Sequence, residues 1–181
     1  MVDVIPAKDK KTIECLLKAF AGESQARNKY NFFASVARKE GYEQIASIFE
    51  ETADNEKEHA KMIYKFLKGI KTTPENLVEA IKGEHYEWSE MYPEFEKIAR
   101  EAGDKDAAKF FKEVAEVEQQ HEKRFRKLLE NIKKGEVFEK RKPIEWKCRN
   151  CGYIYYGKKA PKICPACRHP RAFYEVRCKN Y

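Results

Sequence analysis

Residues 116–125 have the sequence EVEQQHEKRF, and residues 51–60 have the sequence ETADNEKEHA. Each stretch contains Glu-x-x-His, a spacing that places both side chains one turn apart on the same face of a helix, where they can bind one ion together. The two pairs are Glu118 with His121 and Glu56 with His59. Because both lie in the middle of apolar stripes, these stretches decide what fold the chain can adopt.

Apolar residues recur around both motifs at alternating spacings of four and three, which predicts the core-facing stripe of an amphipathic helix. An unpaired buried carboxylate costs several kcal/mol, so a Glu in the middle of such a stripe points to a ligand. A rotated helix with its Glu in water would explain any single case. It does not explain two histidines and five carboxylates placed this way. The remaining stripe carboxylates are Glu23, Glu87 and Glu90.

The segment from Lys8 to Lys134 is predicted to form four helices separated by glycine-containing breaks. The breaks are at Gly41, Gly69 to Pro74, Gly103 and Gly135. Asp104 is predicted to cap the fourth helix, and Thr73 with Pro74 to begin the third. The predicted organisation is a helical domain over residues 1–137, a linker over 138–145 and a small cysteine-rich domain over 146–181.

The helical carboxylates match a known arrangement, in which two helices each supply one Glu and two others each supply Glu-x-x-His to a pair of metal ions. Glu23 and Glu56 lie at about the same distance from the first turn, since each helical residue adds ~1.5 Å. The predicted fold class is therefore mainly α, a ferritin-like four-helix bundle with a small knuckle domain. Glu90 exceeds the basic set and suggests ligation that changes with redox state. Pro93 should kink the same helix.

Residues 148–170, CRNCGYIYYGKKAPKICPACRHP, contain two Cys-x-x-Cys pairs. In a reducing compartment this spacing predicts a metal site, with Cys148, Cys151, Cys164 and Cys167 as ligands. This cysteine-rich C-terminal segment is called the ribbon below. By itself it leaves open whether zinc forms a structural site or iron forms an electron carrier. Carboxylate and imidazole ligands on the helices favour iron or manganese there. Of the other two cysteines, Cys15 is predicted to be a small buried side chain, and Cys178 has no assigned role.

The chain has 181 residues and a formal net charge of +7. Residues 140–181 contain 12 Lys and Arg against 2 acidic residues, so the positive charge belongs to the ribbon. An acidic partner or the acidic helical half could meet it. No apolar run is long enough for a membrane span, and the first residues lack a secretory leader, so we expect a cytoplasmic protein with no membrane partner.

At this point the sequence resembles the rubrerythrin family over nearly its whole length. The resemblance is carried by AFAGESQARNKY, ETADNEKEHA, GEHYEWSEMYP and EVEQQHEKRF on the helices and by CPACRHP in the ribbon. It implies a ferritin-like di-iron domain followed by a rubredoxin-like domain. The expected cofactors are three Fe per chain, with Zn able to substitute at some positions.

The resemblance also implies roles for individual residues. Glu56 and Glu118 would bridge the irons, and Glu23 and Glu87 would be terminal ligands. His121 would bind one iron, while Glu90 and His59 would exchange at the other. Tyr30 and Tyr92 would lie beside the site.

The activity implied by the family is reduction of hydrogen peroxide to water, a peroxidase function that protects against oxidative stress. Electrons would pass from a small redox protein, such as reduced rubredoxin, or an NAD(P)H-linked reductase, through the four-cysteine iron to the di-iron site. One alternative is a ferroxidase or iron-storage protein, which has no use for a one-electron ribbon. A more distant alternative is a zinc ribbon whose positive charge and tyrosines bind nucleic acid. The favoured interpretation includes no nucleic-acid partner.

The connection between the second and third helices bears on assembly. Gly69 to Pro74 offers about six residues and reaches at most ~20 Å, whereas helices of this length span about 40 Å. This is too short for the usual crossover in a ferritin-like bundle. We therefore expect a homodimer that is domain-swapped between its two helical hairpins. An up-down-up-down bundle within one chain is the competing arrangement.

Overall fold

The computed structural model describes residues 6–180. The outermost residues of the predicted domains, 1–5 and 181, lie outside this range. The chain is divided after Thr72 into two compact units. The first contains two helices, α1 (Lys10–Lys39) and α2 (Glu43–Phe66), and the second contains the remaining helices and a small sheet. The prediction of a mainly α protein is confirmed.

The first unit is a hairpin of α1 packed against α2. Asp9 caps α1 by accepting a hydrogen bond from the Thr12 amide at 2.9 Å. The chain reverses at Gly41, whose φ of 85° is a left-handed conformation that glycine adopts at little cost. Small side chains are buried where the helices meet, and they include Ala34, Ala37 and Ala46. The two long helices therefore approach each other closely.

The second unit begins with a helix that changes its geometry partway along. α3 (Thr73–Tyr86) continues through a π-helical turn, Glu87–Met91, into α4 (Tyr92–Glu101). The amide of Tyr92 bonds to the carbonyl of Glu87, five residues back, as in a π-helix. Pro93 follows directly and lacks the amide hydrogen that an α-helix would use. The irregularity that the structure shows in this helix is a widened turn that precedes the proline.

The fourth predicted helix is α5 (Lys105–Lys133), which packs against α3, the π-turn and α4. As predicted, Asp104 caps it, accepting a hydrogen bond from the Ala107 amide at 3.0 Å. The prediction that the third helix starts at Thr73 is also confirmed.

The C-terminal sheet has three antiparallel strands in the order β2-β1-β3. They are β1 (Glu139–Cys148), β2 (Ile154–Lys159) and β3 (Tyr174–Val176). Residues 138–145, expected to be a linker, lie mostly within the central strand. The register against β2 is irregular between Glu139 and Ile144. Pro143 falls in that interval, where a missing amide hydrogen interrupts no regular ladder. The core beneath the sheet includes Trp146, Cys148 and Cys164, all fully buried.

Both helical units expose large apolar side chains. Phe32 on α1 is 66% exposed and Phe110 on α5 is 58% exposed. Cys15, predicted to be buried, is exposed on α1, because α1 buries only its contact with α2. Among the described residues, no helix combines the length and apolar character needed to cross a membrane.

Candidate metal centres

Glu23 on α1 meets the first Glu-x-x-His motif on α2. One donor atom each from Glu23, Glu56 and His59 lie within 4.8 Å of one another. His59 Nδ1 lies 2.8 Å from a carboxylate oxygen of Glu56 and 3.9 Å from one of Glu23. The sequence-predicted ligands of the first hairpin therefore converge, as the equal depths of Glu23 and Glu56 indicated.

The two carboxyl groups of this cluster shift each other's pKa in opposite directions. A hydrogen bond with Glu56, together with burial, raises the pKa of Glu23. The same hydrogen bond and a second one from His59 lower the pKa of Glu56. The cluster therefore offers two carboxyl groups and an imidazole, to which a metal ion would bind in competition with protons.

A second cluster forms where α3 meets α5. It contains Glu118 and His121, as predicted, and their third partner is Glu84. His121 Nδ1 lies 2.6 Å from an oxygen of Glu118 and 3.5 Å from one of Glu84. Burial and a hydrogen bond with Glu118 raise the pKa of Glu84. Sequence reasoning did not single out Glu84.

Glu87 and Glu90, the residues predicted for this position, are not part of the three-residue cluster. Glu87 is the first residue of the π-turn and lies close to this cluster. Burial and the negative charge of Glu118 raise the pKa of Glu87. Glu90 is exposed at the other end of the turn. The structure therefore brings Glu84 to the cluster, keeps Glu87 beside it and leaves Glu90 in solvent.

The sequence does contain a signal for Glu84. Gly83 and Glu84 repeat the dipeptide of Gly22 and Glu23, each at the same point of its hairpin. Tyr30 follows Glu23 by seven positions, whereas Tyr92 follows Glu84 by eight. The extra residue is absorbed by the π-turn, since such a turn inserts one residue into an α-helix.

Equivalent aromatic groups confirm this alignment of the hairpins. The ring of Tyr30 lies 6.1 Å from that of Phe49, and the ring of Tyr92 lies 6.1 Å from that of Phe111. Phe49 and Phe111 each precede the motif glutamate of their helix by seven residues. The predicted tyrosines thus occupy matching positions, one in each hairpin.

The four predicted cysteine ligands converge at the edge of the sheet. Sγ of Cys148 lies 3.7 Å from Sγ of Cys167, and the same distance separates Cys151 from Cys164. A tetrahedral ion with bonds of about 2.3 Å requires sulfurs about 3.8 Å apart, so the thiols fit one ion.

Each pair of cysteines lies on a tight turn of the same shape. The residue after each pair has positive φ, Gly152 at 80° and Arg168 at 63°. A hydrogen bond from the His169 amide lowers the pKa of the Cys167 thiol to about 6, which favours the thiolate that a metal needs. Cys151 is exposed and Cys148 is buried, so the site opens to solvent on one side.

The carboxylate clusters also suit metal binding. Bonds of about 2.1 Å place donors about 3 Å apart at right angles and about 4.2 Å apart across an ion. The longer distances from the imidazoles, 3.9 Å from His59 to Glu23 and 3.5 Å from His121 to Glu84, fall in this range. Oxygen donors with an imidazole favour iron over a structural zinc ion. The chain thus has candidate di-iron ligands on its helices and a rubredoxin-like four-cysteine iron site.

Comparison with known proteins agrees with both kinds of site. The family model for rubrerythrin matches residues 14–129, and that for the rubrerythrin rubredoxin-like domain matches residues 146–175. The chain is 51% identical to rubrerythrin from Porphyromonas gingivalis, covering 96% of this chain and 94% of that protein. It is 48% identical to rubrerythrin from Nitratidesulfovibrio vulgaris, covering 96% and 98%. The predicted ferritin-like and rubredoxin-like fold class is confirmed, and the chain belongs to the rubrerythrin family.

Proposed function

We propose that this chain is a non-haem di-iron peroxidase that reduces hydrogen peroxide to water and so protects against oxidative stress. The observation that carries the proposal is the presence, on one chain, of two carboxylate–imidazole clusters and a separate four-thiol site. The reduction of peroxide takes two electrons, which a pair of metal ions on the carboxylate–imidazole clusters can supply. The four-thiol site can return those electrons one at a time. The reducing environment of the cytoplasm, where we place the protein, keeps such thiols available for metal.

When bound, a pair of ferrous ions supplies the two electrons that break the O–O bond, and two protons complete the formation of two water molecules. The residues proposed to hold the ions are Glu23, Glu56, His59, Glu84, Glu118 and His121. Glu84 takes the terminal position that sequence analysis gave to Glu87.

Two groups beside the second cluster can assist it. Burial and the negative charges of Glu87, Glu118 and Glu84 raise the pKa of Tyr92, so its hydroxyl keeps its proton and can donate a hydrogen bond. Glu87 is a further carboxylate close to the second cluster, with no glutamate at the matching place on α1. We propose that it, rather than Glu90, is the ligand that exchanges with His59 during turnover.

The ribbon is proposed to deliver electrons one at a time. Its open side at Cys151 would let an electron enter from a small redox protein or a reductase. The positive charge of residues 140–181 would steer an acidic donor toward this side.

Each cluster has two carboxylates and one imidazole, half of the ligand set of a di-iron site. Six residues, 67–72, connect α2 to α3, and apolar side chains such as Phe32 and Phe110 are exposed. We propose that a second copy of the chain covers these faces in a domain-swapped homodimer, in which a first hairpin is completed by the second hairpin of its partner.

Steady-state kinetics tests the function against its main alternative. With a reduced rubredoxin as donor, the protein should consume peroxide faster than it oxidises Fe(II) with oxygen. A Glu118→Gln variant should lose the peroxide activity. Rapid oxidation of dissolved Fe(II), without donor-dependent peroxide consumption, would instead assign a ferroxidase.

A further inference from the structure

Glu122 is the only charged side chain that is buried among residues 6–180, with 5% of its surface exposed. It follows His121 directly on α5. Burying a carboxylate is costly unless hydrogen bonds compensate it, so its surroundings must supply donors.

Three side chains supply those donors. Trp88 Nε1 donates at 2.5 Å and His85 Nδ1 lies at 3.3 Å, both to Oε2. Arg126 Nε donates to Oε1 at 2.6 Å, and its Nη2 forms an ion pair with the same oxygen. Burial alone would raise the pKa of Glu122, but the hydrogen bonds from Trp88, Arg126 and His85 outweigh it and lower the pKa. Both oxygens of the carboxylate therefore have hydrogen-bond partners.

Two of these donors, His85 and Trp88, directly follow carboxylates of the second cluster and its surroundings in the sequence. His85 follows Glu84, and Trp88 follows Glu87 inside the π-turn. Glu122 consequently connects α5, which contains the second Glu-x-x-His motif, to the end of α3 and the π-turn. These are the segments that contain Glu84 and Glu87. A π-turn is rare in helices and is found frequently at functional sites.

The first hairpin contains no such connection. The residue after His59 is Ala60, which is buried, and α1 has no π-turn. A groove of about 300 Å³ lies beside Ala60 instead, and its lining includes Ser24 and Arg27 of α1. The two hairpins match in their three-residue clusters. They differ in that, within the described part of the chain, only the hairpin with the widened turn has a buried carboxylate.

We propose that Glu122 is a positioning residue for the second cluster: through Trp88 and His85 it holds the π-turn so that Glu84 and Glu87 face Glu118 and His121. This inference rests on the proposed function only in requiring that the cluster binds metal.

The test is Co(II) binding to the full-length chain, followed by absorption and equilibrium dialysis. Losing a direct hydrogen-bond partner of a metal ligand typically costs about 10–100-fold in affinity. Glu122 bonds to the neighbours of Glu84 and Glu87, so Glu122→Ala should weaken Co(II) binding at the carboxylate sites by about tenfold, the lower end of that range. The four-thiol site should be unchanged. Glu122→Gln, whose amide oxygen can still accept from Trp88, should recover part of the loss.

A second readout is the NMR signal of the Trp88 indole N–H. The chain has two tryptophans, so Trp88→Phe assigns the signal by removing it. The Trp88 signal should shift strongly upfield in Glu122→Ala and less in Glu122→Gln. Glu130→Gln is the matched control, because Glu130 also lies on α5 and pairs with two lysines, but at the surface. It should change neither readout.

The proposal is overturned if Glu122→Ala folds and binds Co(II) at the carboxylate sites within about twofold of wild type, well below the expected loss of about tenfold. If that variant does not fold, wild-type affinity in both Glu122→Gln and Trp88→Phe would equally overturn it. A wild-type protein that takes up Co(II) only at its thiols would instead contradict the proposed function, and with it the premise of this inference.

Discussion

Glu84 on α3 meets Glu118 on α5 in the same way that Glu23 on α1 meets Glu56 on α2. Between Glu84 and Tyr92 the chain has one more residue than between the matching pair in the first hairpin. The π-turn accommodates that residue, and it brings Glu87 beside the cluster. The two hairpins are therefore equivalent in their three-residue clusters and different in the additional carboxylate.

Replacing Glu84 should reduce metal binding, whereas replacing Glu90 should not. Glu84→Gln removes a charged oxygen donor from the cluster, so iron or Co(II) affinity at the carboxylate sites should fall about tenfold or more, at least as much as for an outer partner. Glu90→Gln is the matched control on the same helix. Equal metal content in both variants after dialysis would show that Glu84 is not a ligand.

Replacing a ribbon ligand should separate electron supply from peroxide chemistry. Cys167→Ser removes one thiolate, so the visible thiolate–iron bands should disappear and donor-dependent turnover should drop sharply. The chemically reduced variant should still consume peroxide in a single turnover, because the helical clusters are intact. Undiminished donor-dependent turnover would show that electrons bypass the ribbon.

Mixing two inactive variants tests the domain swap. One carries Glu56→Ala with His59→Ala, and the other carries Glu118→Ala with His121→Ala. In a swapped heterodimer one site combines both damaged hairpins and the other combines both intact ones, so one of its two sites recovers; with random pairing this is about a quarter of all sites. Co-expression followed by a peroxidase assay measures this recovery. A di-iron site built within one chain predicts no recovery at all.

The pairing of α1 with α2 should depend on pH through Glu50. Arg38 donates to Glu50 from both terminal nitrogens, at 2.9 and 3.0 Å. These hydrogen bonds lower the pKa of Glu50 below its ordinary value of 4.5. The stabilisation is fully present above that value and is lost as the pH falls through the lowered pKa.

Glu50→Gln should therefore lower the melting temperature slightly at pH 7, and the difference from wild type should vanish in acid. Thermal unfolding monitored by circular dichroism measures it. Glu51→Gln, an exposed neighbour on α2, should leave the melting temperature unchanged. A Glu50→Gln difference that persists at acidic pH would mean that the ion pair is not its cause.

The helices and their ends could be predicted because their signals are local. The apolar periodicity, the Asp104 cap and the left-handed glycines Gly41 and Gly103 each act within a few residues. The cysteine spacing likewise determined the four-thiol site. These features depend little on what packs against them.

Features that depend on tertiary packing were missed. Sequence analysis selected Glu87 and Glu90 from the third helix and passed over Glu84, because the sequence alone does not show the residue that the π-turn inserts. The burial of Glu122 depends on Trp88 from another helix, which no local pattern shows. The segment before Trp146 was expected to be a charged linker, but most of it is strand, because Glu139, Ile144 and Glu145 pair with β2.

The most direct test of the central claim is rapid mixing of the fully reduced protein with hydrogen peroxide, followed at the visible bands of the thiolate–iron site. The account predicts that red absorption returns quickly in wild type and far more slowly in Glu118→Gln, because electrons leave the ribbon through the carboxylate site. Equal rates of recovery in the two proteins, or a ribbon that is colourless because it holds zinc, would contradict it.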